Sequence, residues 1–320
     1  MSTQQASGAM PMKKSYRKFT WRNIKKDFRQ NYMLTFMILP IIAFYIIFHY
    51  GPLYGLQIAF KNYKPSLGYW GSEWVVFKHF IDFFQSIYFI RLIRNTILIS
   101  LYTLIFGFPA PIIFAILLNE IKVTGYKKIV QTLTYLPYFI STVVMCGMIR
   151  QFTRSDGVIN DFIAMFGGQR VTMLQEPQYF RSIYVISGMW QSLGYNSIIY
   201  LAAISGIDQE MYEAATIDGA GRFQQAMSIT IPSLAPTIII LFILRMGSLF
   251  SVGSDKIILL YNSSIYETSD VISTYVYRRG ILDADYSFSS AVGLFNSIIN
   301  FTLIMVTNKI SSIVSETSLF

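Results

Sequence analysis

Six long apolar segments, separated by short polar stretches, constrain what this chain can fold into. Each is close to the length that crosses the hydrocarbon core of a bilayer, about 20 helical residues. Charged residues make up only 13% of the chain, against about 25% in a typical soluble protein. The predicted spans cover residues 33–50, 95–118, 129–149, 183–204, 233–252 and 288–307. The sequence therefore predicts an all-α integral membrane protein with about six transmembrane helices.

A strongly basic arm precedes the first apolar segment. Eight of the 26 basic residues fall within the first 32 positions, namely Lys13, Lys14, Arg17, Lys18, Arg22, Lys25, Lys26 and Arg29. Because orientation follows the lysine and arginine bias, this cluster predicts a cytoplasmic N-terminus, and six spans return the C-terminus to the same side. The arm can contact anionic lipid, but it lacks the features of a nucleic-acid-binding module. We therefore divide the chain into an arm at 1–32 and a transmembrane domain at 33–320.

A polar insert at about 205–232 separates the fourth and fifth predicted spans and faces the cytoplasm in this topology. Its charges sum to −3, from Asp208, Glu210, Glu213 and Asp218 against Arg222. Asp208 suits the N-cap of a short helix, Asp218 and Gly219 carry turn chemistry, and a second short helix can start at Arg222. Alanines in the first helix allow close approach of another backbone, and the acids can pair with basic groups. The insert is either a docking element or a solvated linker.

From residue 212 the insert reads YEAATIDGAGRFQQAMSITIPSLAP, which resembles the EAA signature of bacterial ABC importer permeases. That signature is E-A-A, three residues, G, nine residues, I, one residue, L-P. The matching positions here are Glu213, Ala214, Ala215, Gly219, Ile229, Ile231 and Pro232, with isoleucine in place of leucine at 231. Two further stretches, FHYGPLYGLQIAFKNYKP at 48–65 and LRMGSLFSVGSDKIILLYN at 244–262, resemble permeases for oligosaccharides and polysaccharide fragments.

The resemblance implies a type I ABC importer permease fold in a bacterial cytoplasmic membrane. The insert would form a coupling helix that fits a cleft on a cytoplasmic ATPase subunit. The residues implied in this coupling are Glu213, Ala214, Ala215, Asp218, Gly219 and Arg222. The implied partners are a second permease of the same fold, two ATPase subunits and an extracytoplasmic solute-binding protein. ATP and magnesium would be held by the ATPase subunits, and this chain would bind no cofactor or metal.

Several residue patterns that other functions need do not occur in the sequence. The chain contains no G-x-x-x-x-G-K-[ST] motif for nucleotide phosphates. The six predicted spans hold no aspartate or glutamate, which disfavours ion-coupled transport. The two histidines, His49 and His79, and the single Cys146 form no catalytic or metal-ligating motif. The alternatives are a permease of the same superfamily for a non-sugar solute and, from another class, an ion-coupled carrier or a channel.

Candidate residues for the substrate path lie in the fourth and fifth spans. Sugars are bound by aromatic faces with a few hydrogen-bonding groups nearby, and the fourth span offers Trp190, Gln191, Tyr195 and Asn196. Trp190, Tyr195 and Asn196 do not share one helical stripe, so they cannot all face one cavity, and Trp190 also suits an interfacial aromatic belt. Ser248 and Phe250 are the candidates from the end of the fifth span.

Arg245 is the one charged residue in the interior of a predicted span. We expect it about ten residues, or roughly 15 Å, below the outer end of the fifth helix. Arg245 lines the translocation path, or else it forms a structural ion pair or extends towards the membrane surface. If it lines the path, uronic acids and other anionic sugars fit better as substrates. Gly147, Gly188 and Gly194 are expected to allow close helix packing.

Overall fold

The computed structural model describes residues 31–315 and 317–319, and the chain divides into two compact units, Met1–Leu56 and Gln57–Phe320. The predicted basic arm at 1–32 therefore lies almost wholly outside the described residues. In the first unit, helix α1 (Tyr32–Tyr45) continues through a π turn (Ile46–Tyr50) into α2 (Gly51–Leu53). None of its residues is buried, as suits a helix whose apolar side chains face lipid.

The second unit is almost entirely helical. From Gln57 to the middle of the chain its elements are a 3₁₀ turn that began in the first unit (Tyr54–Phe60), β1 (Lys61–Asn62), α3 (Gly68–Gly71), β2 (Glu73–Trp74), α4 (Lys78–Phe84), α5 (Phe89–Gly107), α6 (Pro109–Asn119), α7 (Thr124–Tyr135), a 3₁₀ turn (Leu136–Phe139), α8 (Thr142–Phe152) and α9 (Val158–Met165). The two short strands pair antiparallel, with Lys61 opposite Trp74 and Asn62 opposite Glu73.

The remaining elements follow a 3₁₀ turn (Met173–Gln175). They are α10 (Pro177–Ser205), α11 (Gln209–Ile217), α12 (Arg222–Gln225), a π turn (Ala226–Thr230), α13 (Ile231–Met246), α14 (Ser254–Leu260), a 3₁₀ turn (Ser263–Ile265), α15 (Tyr266–Ser269), α16 (Ile272–Tyr277), a π turn (Arg278–Leu282) and α17 (Tyr286–Val314). Helix α10 is central, because α5, α6, α7 and α13 all pack against it. The prediction of an all-α protein is confirmed.

Four helical stretches of the described residues are long and apolar enough to cross a membrane. They are Tyr32–Phe60, Phe89–Asn119, Arg222–Met246 and Tyr286–Val314, and they contain or overlap the first, second, fifth and sixth predicted spans. The fourth predicted span lies within α10, which has 29 residues and is therefore about 43 Å long. This helix is more polar than the other four, so length and apolarity alone do not select it.

The third predicted span is not one straight helix but a pair of helices that together are long and apolar enough for one broken span. Two helical stretches, Thr124–Phe139 and Thr142–Phe152, meet at an angle of 99°. The break falls at Ile140, whose backbone is extended, and Ser141 then caps the next helix by accepting a hydrogen bond from the Val144 N–H at 3.3 Å. The apolar run gave no sign of this break, whereas Pro137 and Ser141 are the residue types that punctuate helices.

Gly194 on α10 lets the backbone of α7 approach closely, as the sequence predicted. A Cβ atom at this position would lie 2.3 Å from the carbonyl oxygen of Thr134 and 2.5 Å from its carbonyl carbon. No rotamer change can relieve a collision with backbone. At Gly147, by contrast, nothing in the described chain lies within 4 Å of an added Cβ, so this chain supplies no close packing partner there.

We expect Gly194→Ala to destabilise the protein by about 2 kcal/mol, because the new methyl group forces α7 and α10 apart. The measurement is thermal unfolding of the purified chain in detergent, together with its level in the membrane. Gly147→Ala is the matched control, and its Tm should stay level or rise slightly, since alanine favours a helix interior. Equal Tm values for the two variants would show that the α7–α10 contact is not as close as the structure places it.

Candidate functional site

The polar insert begins with the predicted short helix. Asp208 caps α11 with its side-chain oxygen, which accepts a hydrogen bond from the Glu210 N–H at 3.0 Å. The helix ends where Gly219 adopts a positive φ of 80°. The Gly219 N–H then donates to Thr216 O at 3.1 Å, and the Ala220 N–H donates to Ala215 O at 2.8 Å. This pair of bonds is a Schellman cap, whose left-handed position glycine fills without steric cost.

The second helix of the polar insert runs without a break into the fifth span. We expected a separate short helix from Arg222, but α12, the π turn and α13 form a single stretch of 25 residues, Arg222–Met246. The π turn ends two residues before Pro232, which has no N–H to donate to the preceding turn. Widening the helix here lets it pass the proline instead of ending there. The polar insert and the fifth span are therefore parts of one continuous helix.

Side-chain contacts brace the two helices of the insert against each other. The Tyr212 hydroxyl lies 2.9 Å from Thr230 Oγ1. Gln225 Nε2 donates to Thr216 Oγ1 and to the carbonyl oxygen of Ala220, each at 3.0 Å. Arg222 Nε lies 3.6 Å from a carboxylate oxygen of Glu120, at the end of α6. The insert is thus an ordered element rather than a slack linker.

The predicted coupling residues lie together on this element. Glu213, Ala214, Asp218, Gly219 and Arg222 are exposed, and Ala215 is half-buried against the rest of the insert. Large apolar side chains are exposed beside them, at Ile217 (87%), Phe223 (81%) and Met227 (51%). The sequence analysis did not single out Ile217. Acidic and apolar groups on one exposed surface are typical of a protein-docking site.

A cavity of about 910 Å³ opens beside α10. Its walls come from α5, α6, α10 and α13, together with Ser248 and Lys256. Five of the predicted path residues line it: Gln191, Tyr195, Asn196, Arg245 and Ser248. Trp190 lies outside the cavity, on the exposed surface, and Phe250 packs instead against a buried cluster that includes Phe83 and Phe288.

A ring stack and a hydrogen bond connect the part of α10 that lines the cavity to the bend between α7 and α8. The ring of Tyr195 stacks on Tyr138, with ring centroids 3.7 Å apart and planes within 5°. Gln191 Nε2 donates to the carbonyl oxygen of Ile140 at 3.0 Å, directly at the break. Aromatic faces and amide groups are thus placed side by side, which is the combination that binds sugars.

Arg245 lines the cavity, but its place in the helix differs from the prediction. Helix α13 ends at Met246, so Arg245 lies in its last turn and not ten residues below the end of the helix. The Gly247 N–H closes the helix by donating to Ile243 O at 3.1 Å. Arg245 takes part in none of the ion pairs found among residues 31–315 and 317–319. Arg245 is exposed as a residue and lines the cavity, where it can contact a bound molecule.

Lys256 on α14 is a second cation in the cavity wall. It was not predicted from the sequence, because it lies just beyond the fifth predicted span and so does not stand out as an intramembrane charge. Its side chain is buried, with Nζ donating to the carbonyl oxygen of Tyr184 at 2.8 Å and lying 4.6 Å from the centre of the Tyr184 ring. Lys256 also lies outside the four candidate spans, and burial lowers its pKa to about 8.

A buried ionic network lies at the end of α10 opposite the polar insert. Asp270 is fully buried and accepts hydrogen bonds from Arg91 at 2.9 Å, from Arg278 at 2.7 and 2.8 Å, and from Thr274 Oγ1 at 3.0 Å. Burial opposes the charged form of Arg278, but the hydrogen bonds and charge of Asp270 outweigh it and raise the pKa of Arg278 above its usual value. This network joins α5 to the short helices that precede α17.

Comparison with known proteins assigns the family. Residues 100–314 match the model of the binding-protein-dependent transport system inner membrane component. Protein LplB of Bacillus subtilis is 42% identical over 288 residues, 90% of this chain and 91% of that protein. The polygalacturonan/rhamnogalacturonan transport system permease protein YteP of the same organism is 38% identical over 316 residues, 98% and 97% of the two chains.

Solved structures agree with this assignment. A bacterial ABC transporter involved in the import of the acidic polysaccharide alginate contains a chain that matches with a TM-score of 0.85 and 42% identity, over 92% of this chain and 99% of that one. A bacterial alginate ABC transporter in complex with an alginate pentasaccharide-bound periplasmic protein contains a chain that matches with a TM-score of 0.85 and 42% identity, over 93% of this chain and 99% of that one.

This chain belongs to the family of binding-protein-dependent transport system inner membrane components. It is an all-helical membrane permease of an ABC importer, as the EAA signature indicated. Permease subunits of this family carry no ATPase site of their own. The alternatives of an ion-coupled carrier and a channel are therefore set aside.

Proposed function

We propose that this chain forms part of the membrane pathway of an ATP-driven importer for oligosaccharides or polysaccharide fragments. The observation that carries the proposal is one helix, Arg222–Met246, which joins the exposed polar insert at one end to the cavity at the other. Two relatives that are at least 38% identical are named for polygalacturonan and rhamnogalacturonan transport and for alginate import, and a more distant one, 26% identical, is named for arabinooligosaccharides. The stacked Tyr195 and the amides of Gln191 and Asn196 suit a sugar in the cavity.

The polar insert would be the part of this chain that an ATPase subunit contacts and moves. Glu213, Ala214 and Ala215 would lie in the cleft of an ATPase subunit, with Ile217 and Phe223 filling apolar depressions around it. The Schellman cap at Gly219 and the Arg222–Glu120 contact would hold Asp218 and the turn in a fixed position. The pathway would be completed by a second permease of the same fold, and two ATPase subunits would hold ATP and magnesium.

A solute-binding protein would deliver the sugar at the end of the bundle opposite the polar insert. In this arrangement the insert and both chain termini face the cytoplasm. Closing of the ATPase subunits would move the insert, and the bundle would change from an inward-facing to an outward-facing state. This chain would perform no chemistry of its own.

The test is uptake of labelled oligosaccharides by vesicles that contain the assembled transporter and its loaded binding protein. We expect uptake to require ATP hydrolysis and to disappear when the ATPase subunits are omitted. A non-hydrolysable ATP analogue is the matched control, because it occupies the nucleotide site without driving the cycle. Saccharide uptake that persists without any ATPase subunit would contradict the proposal.

A further inference from the structure

We propose that Lys256, together with Arg245, recognises negative charge on the transported molecule, so that the pathway selects saccharides that carry carboxylates. This inference rests on the proposed function and adds a substrate class and the residues that recognise it. It begins with the charge of the cavity wall. Arg245 and Lys256 both line the cavity, whereas no aspartate or glutamate among the described residues does. A neutral sugar would need no such bias, and a cationic solute would be repelled by it.

The position of Lys256 suits a binding role better than a structural one. Only one hydrogen bond of its ammonium group is accounted for, to the carbonyl oxygen of Tyr184, although an ammonium group has three donors. Lys256 is in none of the ion pairs formed by residues 31–315 and 317–319. A structural lysine at such a buried position would be expected to pair with an acid.

The neighbouring helix leaves room for the ammonium group at the cavity wall. A Cβ atom at Gly188 would lie 3.3 Å from Lys256 Nζ, so a side chain there would press on it. The ring of Tyr184, one turn earlier on the same face of α10, lies with its centroid 4.6 Å from Lys256 Nζ. Gly188 and Tyr184 thus form the part of α10 against which Lys256 Nζ packs at the cavity wall.

The groups that face Lys256 supply no negative charge. Tyr184 offers a ring and a carbonyl oxygen. The Sγ atom of Cys146 lies 3.9 Å from the carbonyl oxygen of Lys256. The remaining charged neighbours are cations, Arg245 in the same cavity wall and Arg150 near Cys146. A buried cation without a counter-charge is costly, and burial accordingly lowers the pKa of Lys256 to about 8. A carboxylate on the cargo would supply the missing charge and favour the protonated lysine.

Arg245 provides the second contact on a different helix. It lies in the last turn of α13, while Lys256 lies on α14 after the intervening turn. Two cations on separate elements can contact carboxylates on two sugar units of one chain. Arginine is charged at every accessible pH, whereas Lys256 loses its charge above about pH 8. The cavity therefore combines a constant cation with one that depends on pH.

The experiment compares galacturonate oligomers with their methyl esters, which keep the sugar and remove the charge. Uptake of both probes is measured with the assembled, ATP-driven transporter, using the wild type, Lys256→Met and Lys256→Arg. We expect the wild type to prefer the acid, and Lys256→Met to reduce the acid-to-ester ratio roughly tenfold, the usual effect of losing a hydrogen bond to a charged group. Methionine is an apolar residue of similar length, so it can occupy the same buried site.

The pH profile separates recognition from folding. In the wild type the preference for the acid should be present at pH 7 and fall as the pH rises through about 8, because Lys256 becomes neutral while the carboxylates stay ionised. Lys256→Arg should keep the preference to higher pH, since its guanidinium group does not titrate there. A merely structural lysine would give no such difference.

Two results would overturn the inference. If the acid-to-ester ratio is the same in Lys256→Met and in the wild type, Lys256 does not read charge, although ATP-dependent uptake of both probes would leave the proposed function standing. If the wild type shows no ATP-dependent uptake of either probe or of neutral oligosaccharides, the proposed function itself fails, and the inference fails with it.

Discussion

Replacing Glu213 with lysine is expected to abolish both retention of the partner ATPase and ATP-dependent uptake, while the chain remains in the membrane. Glu213 is exposed on α11 and forms no ion pair with any other residue that the structure describes. Its replacement therefore leaves the contacts within this chain intact. Reversing a charge at the centre of a docking surface costs about 2–5 kcal/mol, which is more than tenfold in affinity. Affinity pull-down and vesicle uptake measure the two effects.

Glu176→Lys is the matched control for Glu213→Lys. It makes the same charge change at an exposed residue, but directly before α10, at the end of that helix opposite the polar insert. We expect its ATPase retention to equal that of the wild type. Normal ATPase retention and normal uptake in Glu213→Lys would show that the polar insert does not couple this chain to the ATPase.

Replacing Asp270 with alanine is expected to destabilise the protein by about 3 kcal/mol, because it leaves two half-buried arginines without their counter-charge. Arg91 and Arg278 both donate to this carboxylate, and Asp270 has no exposed surface. The measurement is the Tm of the purified chain in detergent, with its membrane level as a second readout.

Asp283→Ala serves as the control for Asp270→Ala. Asp283 pairs with Arg279 at 3.4 Å, but both side chains are exposed, at 53% and 39%. Pairs of this kind contribute about 0.3–0.5 kcal/mol, so the Tm should barely move. Similar Tm values for the two variants would mean that the Asp270 network is not what holds α5 to the helices before α17.

Local signals in the sequence located much of the site. A helix, a turn and a second helix could be predicted in the polar insert from its sequence, because Asp208 and Gly219 belong to residue types that begin and end helices. Hydropathy located the spans that are uniformly apolar. The pattern of the fourth span also identified Trp190, Gln191, Tyr195 and Asn196 as cavity candidates. It indicated that Trp190, Tyr195 and Asn196 could not all face one cavity, and the structure shows that Trp190 is the one left outside.

Features that depend on distant contacts were not predictable. Asp270 meets Arg91 across 179 positions of the chain, and nothing near either residue marks the pair. Lys256 was missed because α14 lies outside every apolar segment, although the fold returns it to the cavity. The bend at Ile140 lies inside a continuous apolar run, where periodicity is uninformative and only Pro137 and Ser141 marked a break.

The unbroken helix from Arg222 to Met246 connects the polar insert physically to the cavity. From Arg222 to Arg245 it measures about 35 Å, so a tilt of about 6° at the insert would displace Arg245 by about 3.5 Å. That distance is enough to make or break a hydrogen bond. In the proposed importer, any change in sugar affinity that the ATPase imposes on the cavity must be matched by an equal effect of bound sugar on the affinity for the ATPase. A sugar in the cavity would then influence the ATPase that drives its transport.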